Sequence, residues 1–243
     1  MKVFFFDIDG TLAEGLEVPL SAAGAIKQIR EDGNLVFICT GRPVDYVKKN
    51  FGDYCDGSIC FNGRYAELKG EELYDAPLSD DIVGELVKRL DELEAGYTFY
   101  NNGQSFSGGY RDSEYESLNL QGQLVYNFNL YFKSFEHFEV IKEKMNDICI
   151  FNPHGAALSA DATIKGSDKG IAIKEVLRKL QIELNDSYAF GDGANDVSML
   201  KAVGHGICMG NGLESTKEVS EYVTTAIDND GVYNALVHYG FIK

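Results

Sequence analysis

Proline and cysteine are both sparse in this 243-residue sequence, at four and five residues. With so few prolines, 44% apolar residues, 15 Phe and 14 Tyr, collagen-like, low-complexity and disordered classes are excluded, and a substantial core can form without metal or disulfide staples. The cysteines, Cys39, Cys55, Cys60, Cys149 and Cys208, are odd in number, form no C-x-x-C pair and have no histidine at zinc spacing. They read as reduced thiols of a cytoplasmic protein, with Cys39 and Cys60 as small buried hydrophobes. Positive charge is short as well: 22 Lys and Arg against 38 Asp and Glu give −16. Such a chain repels a phosphate backbone, so nucleic acid is not an expected partner. A small anionic substrate stays compatible, because a metal ion or a helix N-terminus reverses the potential inside one pocket. Long apolar runs are missing. Val3 to Phe6 and Leu35 to Cys39 are strand-sized, against the ~20 residues of a membrane span, and Asp7 and Asp9 interrupt the N-terminus before a signal-peptide core can form. No membrane association is expected, and the chain should be a monomer or a weak homodimer.

The length exceeds one average domain and falls short of two, which favours a core with an insertion. In the first third, strands and helices alternate. Val3 to Phe6 reads as a strand covered on both faces, Ser21 as the cap of a helix carrying Ala22, Ile26 and Ile29 and stopped at Gly33. A second buried strand follows at Leu35 to Cys39, a helix from Pro43 to about Phe51, and a third strand from Ser58 to Phe61. Repeated β-α-β with short links predicts an α/β fold, a doubly wound parallel sheet. After Pro77 the grammar changes. Ser79 caps a helix with Ile82, Leu86, Leu90 and Leu93 on one stripe, and Tyr126 to Leu130 alternates with period two, the mark of a half-wet antiparallel strand. A helix near Glu136 to Met145 and two short strands up to about Ala160 complete an inserted α+β unit over residues 78–162. The α/β pattern resumes with a helix from Lys169, a strand from Tyr188, a helix carrying Val197, Leu200 and Val203, and strands at Gly206 to Met209 and Tyr222 to Thr224. The expected core is therefore 1–77 with 163–243, and the insert enters between its third and fourth strands.

Three polar clusters each follow a predicted parallel strand directly: Asp7-Ile8-Asp9-Gly10-Thr11, Thr40-Gly41-Arg42, and Gly191-Asp192-Gly193-Ala194-Asn195-Asp196. Open parallel sheets bind ligands at the carboxyl ends of their strands, so the three face one crevice. Each has a plainer reading: D-x-D-G makes a turn, Thr40 caps the next helix, and Gly191-Asp192-Gly193 links strand to helix. Together they make chemical sense. Asp7, Asp9 and Asp192 offer hard oxygen ligands suited to Mg²⁺. The Thr40 hydroxyl, backbone N–H groups, a lysine and the Asn195 amide can hold phosphate oxygens. One carboxylate is then available to attack phosphorus and a second to protonate the leaving oxygen.

These three clusters, with Lys169 in Ser167-Asp168-Lys169-Gly170, resemble in order and spacing the four motifs of the haloacid dehalogenase-like superfamily. The long insert and Asn62-Gly63 after the third strand resemble its Cof-type subfamily of sugar-phosphate phosphatases with a C2-type cap. The resemblance implies Asp7 as nucleophile and Mg²⁺ ligand, and Asp9 as general acid and base with its backbone carbonyl on the metal. It further implies Thr40, Gly41, Arg42 and Asn195 on phosphate or substrate, Lys169 neutralising the phosphoryl group, Asp192 on Mg²⁺ and Asp196 supporting Lys169. Lys165 is a rival for the lysine role. The implied activity is Mg²⁺-dependent hydrolysis of a small phosphorylated metabolite, with a phosphomutase or a non-catalytic phospho-ligand-binding protein as alternatives. The cap is expected to close over the crevice by a hinge and select substrate, with Arg111 and His154 as candidate contacts.

Overall fold

A continuous apolar strand has no wet face, and β1 (Val3–Phe6) is accordingly buried throughout. The computed structural model describes residues 1–111, 114–116, 118–166 and 168–242. It divides into two compact units, residues 1–75 with 168–243, and residues 76–167. The first begins with β1, α1 (Leu20–Glu31), β2 (Leu35–Cys39), α2 (Val44–Phe51), β3 (Gly57–Cys60), β4 (Tyr65–Leu68) and β5 (Glu71–Asp75). The second unit holds α3 (Asp80–Glu92), β6 (Gly96–Tyr100), β7 (Ser105–Arg111), β8 (Glu114–Glu116), β9 (Asn127–Tyr131), α4 (Phe135–Lys144), β10 (Cys149–Pro153) and β11 (Ser159–Ile164). The chain then returns to the first with α5 (Lys169–Leu180), β12 (Ser187–Gly191), α6 (Val197–Lys201), β13 (His205–Cys208), α7 (Glu214–Lys217), β14 (Tyr222–Val223) and α8 (Gly231–His238).

The first unit carries an eight-stranded sheet in the order β14-β13-β12-β1-β2-β3-β4-β5. Six of these strands run parallel, and β4 and β5 are added antiparallel. Alternate β1 side chains serve opposite layers: Val3 and Phe5 join Phe37 and the helical residues Ala172, Ile173, Val176 and Leu200, while Phe4 and Phe6 stack on Tyr188 and Phe190 at 5.0 and 4.5 Å. Burying each such ring stabilises by about 1.5–3 kcal/mol. The register aligns the strand ends. Phe6 lies opposite both Ile38 and Phe190, so Asp7, the Thr40 loop and the Asp192 loop start from neighbouring positions.

The second unit is a six-stranded sheet, β10-β11-β9-β6-β7-β8, whose pairs are antiparallel. Phe128 and Leu130 of β9 are buried and Asn127 and Asn129 are not, as the period-two pattern requires. With Phe99, Leu86, Leu90, Phe138 and Ile141 they form a separate core.

Several elements differ from the sequence reading. The β4–β5 hairpin was not foreseen, so the insert follows the fifth strand of the sheet. Its two-residue turn uses Lys69 and Gly70, both with positive φ, and Lys69 lacks the Asn or Asp signal of such turns. Strand β5 is an edge with no buried residue. Ser21 is no cap: α1 begins at Leu20 after Pro19, and the Ser21 hydroxyl donates to Asp230 Oδ1 at 2.6 Å. In α3, which Ser79 does cap, the buried stripe is Val83, Leu86, Val87 and Leu90, with Ile82 exposed and Leu93 beyond the helix end. Val203 lies past the end of α6. Because β11 runs on to Ile164, the units separate at 75/76 and 167/168 rather than at 77/78 and 162/163.

Candidate active site

The amide of Asp7 donates to Phe190 O at 3.0 Å, extending the β1–β12 ladder by one residue, so its carboxylate leaves the end of a rigid strand. Lys169 is the first residue of α5, which Asp168 caps by accepting from Ile171 N at 2.9 Å. The Lys169 side chain is fully buried, and its Nζ donates to Asp7 Oδ1 at 2.5 Å and to Asp196 Oδ1 at 2.6 Å. Asp196, also buried, accepts on its other oxygen from the N–H groups of Asp192 and Gly193, both at 2.9 Å. Both Asp196 oxygens are thereby engaged in orienting the loop and the lysine. Asp192 Oδ1 accepts from Thr11 Oγ1 at 2.9 Å.

Among the described residues, ligand oxygens of Asp7, Asp192 and Asp196 lie within 4.8 Å of one another. The cluster holds three carboxylates against one buried ammonium, which pairs directly with Asp7 and Asp196. Burial pushes the Asp7 carboxyl well above its usual range, with Lys169 opposing and Asp196 adding to the rise. Burial likewise pushes Asp192 up to about 6, against the Thr11 hydrogen bond and with Asp196 raising it further. For Lys169, burial alone would lower the pKa, but Asp196 and Asp7 outweigh it and hold the ammonium charged. Such a desolvated excess of negative charge fits a divalent cation. Asp7 and Asp192 are the members with an oxygen outside the Lys169 and Asp196 network, and Mg²⁺ needs only one or two carboxylates besides waters and substrate oxygens.

The other residues expected at the site fall into place unevenly. Thr40 is buried at the end of β2, with its Oγ1 accepting from Arg42 N at 3.2 Å, which leaves the hydroxyl proton to give. The Asp9 carboxylate is not in the buried cluster. It is half-exposed and receives Arg42 Nε and Nη2, each at 3.2 Å, while the Arg42 guanidinium also stacks 5.1 Å from the Tyr46 ring centroid. Arg42 thus holds Asp9. Asn195 Nδ2 donates to Asn62 Oδ1 at 3.4 Å. Lys165 is exposed in the second unit and donates to Asn146 O, whereas Lys169 is buried in the first. His154 ties Ser159 and Asp161 together at 2.9 and 3.1 Å. The Arg111 side chain and Ser167 lie outside the described residues. All five cysteines are free, and no helix among the described residues is long and apolar enough to cross a membrane.

Sequence reasoning missed the parts played by Thr11, Asn62 and Asn211. Asn211 follows β13, donating to Gly10 O at 2.8 Å and accepting from Ile227 N at 2.9 Å. The signal was available: like the recognised clusters, Asn62 and Asn211 are polar residues placed just after strands of the sheet.

Against known proteins, a family model described as haloacid dehalogenase-like hydrolase matches residues 4–236. The chain is 28% identical over 258 residues to YkrA of Bacillus subtilis (strain 168), named provisionally as a phosphatase, covering 100% of this chain and 99% of that one. It is 28% identical over 236 residues to the phosphoglycolate phosphatase of Methanosarcina mazei, covering 97% and 95%. The solved structure of BT4131, a HAD subclass IIB sugar phosphatase, superposes with a TM-score of 0.81 at 27% identity over 100% of both chains.

Proposed function

The chain belongs to the haloacid dehalogenase-like hydrolases as a Cof-type, phosphatase-class enzyme, and from that premise we propose that it is a Mg²⁺-dependent phosphomonoesterase. Its substrate would be a small phosphorylated metabolite, a sugar phosphate foremost, given the full-length likeness to a sugar phosphatase. The observation that carries the reading is the buried Asp7–Lys169–Asp196 chain with Asp192 beside it.

In this reading the Asp7 oxygen that Lys169 does not hold attacks phosphorus. The bond from phosphorus to the ester oxygen breaks, and Asp9 gives that oxygen its proton. Water then attacks the aspartyl-phosphate, Asp9 takes the water's proton, and the bond from Asp7 to phosphorus breaks to release inorganic phosphate. Mg²⁺, held by Asp7 and Asp192 and, as the resemblance implies, the Asp9 carbonyl, would neutralise charge between the anionic nucleophile and the anionic ester. Lys169 adds a fixed cation on the same side. Thr40, Gly41 and Asn195 present a hydroxyl, an N–H and an amide to the phosphoryl oxygens, and Asp196 keeps Lys169 and the Asp192 loop in place. Arg42 keeps the Asp9 carboxylate at the mouth of the site, where leaving group and water arrive.

The test is hydrolysis of p-nitrophenyl phosphate and a panel of sugar phosphates, with and without EDTA. Activity should vanish on chelation and return with Mg²⁺, and Asp7→Asn should abolish both turnover and acid-stable phosphate trapped on the chain. Activity retained by folded Asp7→Asn, or indifference to EDTA, would overturn the mechanism. Isomer formation in place of free phosphate would make the enzyme a mutase.

A further inference from the structure

Strand β3 ends at Cys60, and the next three residues all have left-handed φ: Phe61 at 54°, Asn62 at 53° and Gly63 at 92°. A single such residue is ordinary for Asn or Gly. A buried Phe there is an outlier, and consecutive left-handed residues persist only where their surroundings hold them. Here three of the site's segments do so. Phe61 N–H donates to Arg42 O at 3.3 Å and Asn62 N–H to Thr40 O at 3.0 Å, which fastens the turn to the Thr40–Arg42 segment. Gly63 has no room for a side chain, since a Cβ would stand 2.1 Å from Asp168 O and 3.0 Å from Lys169 Cα; the turn therefore presses on the head of α5. The Asn62 amide, itself buried, accepts from Asn195 Nδ2 at 3.4 Å. It also lies over Gly41, where a Cβ would come within 3.2 Å of both its Oδ1 and its Nδ2.

We propose that Asn62 is a positioning residue for phosphoryl transfer: its side-chain amide fixes the Gly41 backbone and the Asn195 amide relative to one another, so that both are aimed at one phosphoryl group. The role rests on the phosphatase reading above. Hydrogen-bond donors lower a barrier most when they are already aimed where charge develops, and a flexible side chain such as Asn195 cannot be aimed without a partner. Asn62 is that partner, and the strained turn is what brings its amide to the junction. The same contact gives Gly41 a reason to be glycine, because a Cβ at 41 would press on the amide at 3.2 Å and push it aside slightly.

Three variants of the full chain separate the amide from the backbone. Asn62→Gly keeps the left-handed conformation and loses the amide. Asn62→Asp tolerates that conformation, nearly keeps the shape and still has an oxygen to accept from Asn195 Nδ2, but loses the amide donor and adds negative charge. Asn62→Ala loses both amide and conformational ease. For each, kcat and KM for p-nitrophenyl phosphate, calorimetric Kd for inorganic phosphate in saturating Mg²⁺, the half-activating Mg²⁺ concentration and Tm are measured. Asn62→Gly should hold Tm within about 3 °C, lose about tenfold to a hundredfold in kcat and bind phosphate more weakly, with the Mg²⁺ requirement unchanged. Asn62→Asp should bind phosphate more weakly than Asn62→Gly despite its closer shape, because its added negative charge repels the phosphoryl group. Wild-type kcat and phosphate affinity in Asn62→Gly would overturn the role, as would losses that merely track Tm across all three variants. An active wild type with an indifferent Asn62→Gly removes this role alone; a folded wild type that neither turns over ester nor binds phosphate removes the phosphatase reading and this role with it.

Discussion

At the residue scale the two lysines make opposite cases for what surroundings do to one side chain. Lys169 is wholly buried between two carboxylates, whereas Lys165, four positions earlier, is exposed. Deleting a fixed charge aimed at a developing anion commonly costs ~10²–10³ in kcat. Lys169→Ala should lose at least that much, and should also lower Tm, because Asp7 and Asp196 are left buried without their cation. Lys165→Ala should stay within a few-fold of wild type in kcat with little change in Tm. Steady-state kinetics beside thermal melts decide it, and the reverse ranking would hand the role to Lys165. At the level of sequence Lys169 is favoured through the resemblance, because Gly170 and the following helix match the family's motif. The second carboxylate, Asp196, which the resemblance implies as the support of Lys169, is brought to it by the loop after β12, which folds back on its own N–H groups.

At the element scale, caps show which serines and aspartates act on the backbone and which only look as if they should. Asp168 accepts from Ile171 N at the head of α5, so Asp168→Ala removes a true N-cap and should cost about 0.5–2 kcal/mol, or a few degrees of Tm for a chain of this size. Because α5 carries Lys169 in its first turn, kcat should fall as well. Ser21→Ala should leave Tm nearly unchanged, since the Ser21 hydroxyl bonds an exposed carboxylate rather than a helix N–H. Paired melts of the two variants check this, and equal losses would refute the distinction. The sequence places both residues at the beginning of helical periodicity; only the backbone angles of Pro19 and Asp168 show which of the two is outside its helix.

For the whole molecule, the carboxylate cluster ties stability to pH and metal. The folded-state pKa values of Asp7 and Asp192 are raised, to about 8 and about 6. Each group therefore takes up protons more readily folded than unfolded, and its contribution is fully present below about pH 4 and is lost as pH rises through 6 and 8. In EDTA these two groups should erode Tm between pH 5 and 8. A cation bound to the ionised carboxylates opposes that loss, so the Tm gained on adding Mg²⁺ should be larger at pH 8 than at pH 5.5. A Mg²⁺ shift that is flat or larger at the lower pH would count against metal binding at this cluster. The second unit has its own core, which makes its removal a fair test of where specificity resides. With residues 76–167 replaced by a short Gly/Ser linker, p-nitrophenyl phosphate hydrolysis should survive while the ranking of sugar phosphates by kcat/KM flattens; an unchanged ranking would show that the first unit chooses the substrate.

Local features determined a good deal of this protein. Periodicity and buried apolar runs were enough for β1, β2, β3, β9, β12, β13 and β14, for the change of grammar at the insert and for the positions of the polar clusters after β1, β2 and β12, because each depends on neighbours along the chain. Tertiary structure alone decided the rest. The β4–β5 hairpin turns at a left-handed Lys69 and adds an edge strand with no fully buried residue and no apolar alternation, so no pattern announced it. The Asp9 side chain, offered by its spacing as a hard oxygen ligand beside Asp7 and Asp192, goes to Arg42, 33 residues away, which leaves the backbone carbonyl that the resemblance implies, while Asp196 joins Asp7 and Asp192 in the buried group. Asn62 meets Asn195 from 133 positions away. These pairings follow from the parallel register that sets unrelated strand ends side by side, and no local propensity encodes that adjacency.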